Sequence, residues 1–83
     1  MESFYQIMRK INWLKNRGIK TLNKEDVEMQ FGRDTDHEMK EILVYLDCKV
    51  VKVADLFNVT LPERKFTREE MNRQKRIEEM YNF

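Results

Sequence analysis

At 83 residues the chain makes one small domain, able to bury only about 60–65% of its unfolded surface. Two glycines and one proline argue against an all-β fold, which needs many turns. A single cysteine rules out an intrachain disulfide and fits a reducing compartment.

The sixteen basic and fifteen acidic side chains nearly cancel, yet they are not evenly spread. Residues 1–24 hold six basic groups against one acidic, a net of +5. Residues 25–47 hold eight acidic against two basic, a net of −6. Such a chain is expected to be polarised. Its N-terminus turns polar within ten residues, so no signal peptide is expected. No apolar run approaches the roughly 18 residues of a membrane span. A soluble cytoplasmic protein with no membrane partner is the expectation.

In chain order, Phe4, Ile7, Met8, Ile11 and Leu14 recur at helical spacing and predict a helix from about Ser3 to Arg17. Ser3 suits its N-cap and Gly18 the residue just past its end. Trp13 points away from that stripe, with Arg9, Lys10 and Arg17 about one turn away. An aromatic ring on a basic face can stack on a base while its neighbours hold phosphates. It can equally anchor a protein interface or be covered from the far side, for instance by a C-terminal cluster around Tyr81.

Asn23 predicts the cap of a short helix, Lys24 to Phe31, closed by Gly32. Asp34 or Asp36 starts a third helix, Thr35 with Glu38 also fitting a capping box, and its inward stripe is Met39, Ile42, Leu43 and Leu46, through Asp47. Residues 49–61, KVVKVADLFNVTL, pull two ways. Val50, Val51 and Val53 favour a strand. Val50, Val53, Ala54 and Phe57 share one helical face, and no glycine-containing two-residue turn is present for a hairpin. Helix is the preferred reading, with Thr60 capping a further turn and Pro62 inside it. Thr67 with Glu70 opens the last helix, to Phe83. Its few apolar residues leave it mostly solvated or facing a partner, with Ile77, Met80, Tyr81 and Phe83 clustered at its end.

Catalysis has little to draw on: one His, one Ser and one Cys. His37 and Glu41 are two side chains at helical spacing, short of a metal site. No phosphate-binding glycine loop exists. Neither enzyme nor cofactor is expected.

Residues 42–60, ILVYLDCKVVKVADLFNVT, resemble the helix-turn-helix superfamily. Ala54 matches the small residue facing the partner helix, Val50, Val53 and Phe57 the core positions, and Asn58-Val59-Thr60 the turn. The resemblance implies a mainly α domain of four to five helices: two N-terminal helices over 1–33, a helix-turn-helix-like core over 34–66 and a polar C-terminal helix over 67–83. It also implies a DNA-binding transcriptional regulator, dimeric through the C-terminal helix. A recognition helix from near Leu61 would then bring Arg64, Lys65 and Arg68 to DNA. Arg73 and Arg76 would meet phosphates, and Arg9, Trp13 and Arg17 would form a second contact.

A rival arrangement is a winged helix, with the third helix reading DNA and a small β-hairpin over 49–61 as the wing. There the acidic outer face of the third helix would repel phosphates. This points instead to a protein-binding modulator or inhibitor of a larger host complex, such as a polymerase or nuclease. Asp34, Asp36, Glu38 and Glu41 would meet its basic surface. By analogy, phage and mobile-element products often act in this way.

Overall fold

A computed structural model describes residues 4–81. Four helices carry a three-stranded antiparallel sheet. In chain order they are α1 (Phe4–Asn16), β1 (Thr21–Leu22), α2 (Lys24–Phe31), α3 (His37–Tyr45), β2 (Lys49–Val53), β3 (Leu56–Thr60) and α4 (Arg68–Tyr81). The mainly α expectation is therefore corrected to a mixed α/β domain.

Local chemistry sets the helix ends. The side chain of Asn23 accepts the Asp26 N–H at 2.8 Å, and Asp26 reciprocates on the Asn23 N–H at 3.2 Å. This capping box starts α2. Asp36 caps α3 by accepting the Met39 N–H at 2.9 Å, which decides between the possible starts. The helix ends at Tyr45, short of Asp47. Past α1, Gly18 takes φ 81°, and the Ile19 N–H reaches back to the Leu14 carbonyl. Past α3 the same six-residue closure runs from the Cys48 N–H to the Leu43 carbonyl, but Asp47 holds the left-handed position at φ 67°. Aspartate is among the few side chains that tolerate it. The Ser3 cap and Phe83 lie outside the described residues.

Residues 49–60 form a hairpin, not the preferred helix. β2 pairs with β3 from Lys49↔Thr60 to Val53↔Leu56, around a turn at Ala54-Asp55. Ala54 itself takes a positive φ of 51°, supplying the conformation for which glycine is usually recruited. Phe57 and Val59 point inward, while Leu56, Asn58 and Thr60 point out. The strand β1, absent from the sequence reading, gives β3 its second neighbour. The Leu61 N–H extends that side to the Lys20 carbonyl. The order is β1-β3-β2, so β2 lies at the edge. Its outer side makes no backbone hydrogen bond among the described residues. Lys49, Val51, Lys52 and Val53 are exposed along it.

The core gathers Ile7, Ile11 and Leu14 of α1, Val27 and Phe31 of α2, Met39, Leu43 and Leu46 of α3, and Phe57 and Val59 of β3. α4 has no fully buried residue; Met71 packs partly against the core, and polar contacts tie α1 both to the segment before α4 and to α4 itself. Asn12 donates to the Phe66 carbonyl and accepts the Phe66 N–H, both at 2.9 Å, and its amide also approaches the Met71 sulfur at 3.4 Å. Lys15 donates to the Pro62 carbonyl. Glu78 accepts the Tyr5 N–H at 3.1 Å, placing a carboxylate on the first turn of α1, where free N–H groups and the helix dipole favour it.

Thr67 caps α4 as its sequence suggests. The Thr67 hydroxyl accepts the Glu70 N–H at 3.1 Å, and Glu70 accepts the Thr67 N–H at 3.0 Å. Glu70 also takes both arms of Arg64, at 2.7 and 3.0 Å. The Arg64 guanidinium and then the Thr67 amide hold the Glu70 carboxyl at about 2, down from 4.5. A folded value below the unfolded one means this support is in full force above pH of about 4.5. It is lost as pH falls through about 2. Arg64→Ala should return the Glu70 titration toward the ordinary carboxylate range, read by carboxyl-carbon NMR. A Glu70 still titrating near 2 in that variant would assign the shift to Thr67 alone.

Candidate nucleic-acid interface

On α1 the apolar stripe turns inward and leaves Gln6, Arg9, Lys10 and Trp13 lining a shallow groove on the outside. Trp13 is 46% exposed. The Lys10 ammonium lies 4.9 Å and the Arg17 guanidinium 4.7 Å from its ring centre. These residues are at i−3 and i+4, the spacings at which helix side chains meet. Tyr81 is 79% exposed, and the two cations lie against the Trp13 ring.

A second ring repeats the pattern. Tyr5 has the Arg9 guanidinium at 5.8 Å and the Lys75 ammonium at 5.6 Å. Lys75 belongs to α4, so Tyr5 joins the basic faces of two helices distant in sequence. Sequence reasoning missed this role of Tyr5. The available signal was Arg9 at i+4, but nothing local could announce Lys75.

The other basic positions do not assemble as expected. No helix starts near Leu61: residues 61–67 are irregular and α4 begins at Arg68. Ala54, expected as the small residue between two helices, sits in the hairpin turn, and Asn58-Val59-Thr60 is strand. Arg64 is occupied by Glu70. Lys65 and Arg68 are exposed in the loop and at the first residue of α4. Arg73 lines a different groove, with Met8, Tyr45, Leu46, Phe66 and Ile77 among its walls. Arg76 is exposed on α4.

The acidic candidates lie at α3 and the loop before it. Asp34 is exposed. Asp36 is committed to its cap, Glu38 to Arg33 at 3.1 Å, and Glu41 to His37 at 3.3 Å. Val44 and Tyr45, 49% and 70% exposed, follow on the same helix. Cys48 is buried, and burial, then the Asp47 charge, pushes its thiol up to about 12. It is a neutral packing group at neutral pH.

No family model, curated protein or solved structure matches the chain. Among the described residues no helix is long and apolar enough to cross a membrane. A functional reading therefore rests on the side chains themselves.

Proposed function

We propose that this is a non-enzymatic nucleic-acid-binding domain that contacts its ligand through α1 and α4. The observation that carries the reading is the pair of aromatic rings on α1, Trp13 and Tyr5, each flanked by two cations, one of those at Tyr5 being Lys75 of α4. Cations beside aromatic rings are the chemistry of backbone phosphates next to bases. The order of elements, with a hairpin after the third helix, supports the winged-helix form of the resemblance over the helix-turn-helix pair. In that form α3 would enter the groove of a duplex, and Glu38 and Glu41 oppose it. The basic face is on α1 instead. A role in transcription follows from the resemblance alone. Ile77, Met80 and Tyr81, exposed at the end of α4, would be the surface that meets a second copy.

The test is anisotropy of labelled oligonucleotides, single-stranded and duplex, across a salt series. Arg9, Lys10, Arg17 and Lys75 offer four phosphate contacts. For a single strand, affinity should then fall with a log–log salt slope of about −3, and of about −1.4 for Lys10→Glu with Arg17→Glu. Glu41→Lys should not weaken binding. Absence of binding to either form at low salt overturns the reading.

The exposed Val44 and Tyr45 beside Glu41 favour a second reading, a protein-binding module engaging a basic partner. Retention on immobilised polylysine, abolished by Glu38→Lys with Glu41→Lys, would support it where oligonucleotides fail to bind.

A further inference from the structure

We infer that the ligand of the α1 face is a single strand with unpaired bases, and that Trp13 is its stacking platform. This rests on the nucleic-acid reading above and narrows it to one ligand class. In the free protein the Trp13 ring is partly open and is touched by Lys10 and Arg17. Their backbone positions are about 10 Å apart along the helix axis, one before and one after the tryptophan. A base laid on the ring displaces the two cations to either side, where the phosphates flanking that base lie. The cations thus exchange a ring contact for phosphate contacts, and the tryptophan exchanges a cation for a π-face.

A duplex offers no such exchange, because its base faces are already stacked inside. The features that would favour a duplex are also missing. α3 carries Glu38 and Glu41 outward, and the hairpin ends at Asp55, a carboxylate where a wing would meet a phosphate-lined groove. Tyr5 adds a second cation-flanked ring on the same helix, eight residues from Trp13. That is about 12 Å along the axis and about 80° around it. It lets the strand continue toward Lys75 on α4. Readout of base identity is not required, since every base presents a π-face.

The experiment compares labelled oligothymidylate and oligouridylate with a DNA duplex of equal length, following anisotropy and Trp13 emission together. The single strands should bind more tightly than the duplex and quench the tryptophan. Trp13→Ala should weaken single-strand binding about 5- to 150-fold, the usual worth of one stacked base, with the salt slope unchanged because the phosphate contacts remain. Trp13→Phe should recover part of the loss. Because the ring is half-exposed, circular dichroism of both variants should match the parent. Duplex binding as tight as single-strand binding, with no change in Trp13 emission, overturns this inference and leaves the wider reading standing. Failure of every oligonucleotide to bind overturns both.

Discussion

Phe57→Ala is expected to destabilise the protein by about 3–5 kcal/mol, the usual range for truncating a buried phenylalanine. Phe57 is 2% exposed and is among the largest fully enclosed side chains. A domain of 83 residues has a total stability of only about 4–12 kcal/mol. The variant therefore loses between about a quarter and all of that stability. Its melting temperature should fall by about 12–40 °C. Val53→Ala is the matched comparison. Val53 stands on the outer face of the hairpin, 63% exposed, and its loss should change stability by no more than about 0.5 kcal/mol. A helix over these residues would put Val53 and Phe57 on one face, with comparable penalties. Urea denaturation of the two variants separates the hairpin from the helix.

Asn12→Ala is the second large effect, about 1–3 kcal/mol, and it should be local as well as global. The Asn12 side chain satisfies both backbone groups of Phe66, which is 8% exposed. Without it a sheltered N–H and a sheltered carbonyl lose their partners together. α4 has little apolar burial to hold it in place, so its attachment should loosen first. Hydrogen exchange should speed up at Phe66 and along α4 more than in the core turns of α1. Equal acceleration everywhere would show that the contact contributes only to overall stability. Asn12→Asp should not rescue, because a carboxylate accepts the Phe66 N–H but turns a second acceptor toward its carbonyl.

Local rules were legible where a few neighbouring residues decide the outcome. Asn23 with Asp26 and Thr67 with Glu70 announce their helix starts within four residues. The inward stripe of α1 follows from spacing, and with it the outward direction of Trp13. The hairpin was legible only as the rival to a helix, because the sign usually sought, a glycine in the turn, is replaced by Ala54 at positive φ. The valines spoke for a strand, but the pairing that decides it is with β3 and, through β3, with β1. β1 has two residues, too few for any period to show. The helix placed after Leu61 fails for a related reason. The chain there is held by Lys15 and Asn12, dozens of positions earlier, and Arg64 is drawn forward to Glu70. The α1 half of the candidate site could be read from the helical wheel, whereas its α4 half depends on docking that no local pattern records.

The unpaired side of β2 also bears on how concentrated a solution of this protein can be. An edge rich in valine is a template on which another chain can add a strand. Lys49 and Lys52 project to opposite faces of that edge, so an incoming copy meets an ammonium group on whichever side it approaches. Their repulsion works through solvent and is screened over about 10 Å at 0.1 M salt, and over shorter distances as salt rises. Solubility should therefore fall as ionic strength increases, in the same direction as the proposed nucleic-acid affinity. Salt high enough to strip the proposed strand would also weaken the guard on the sheet.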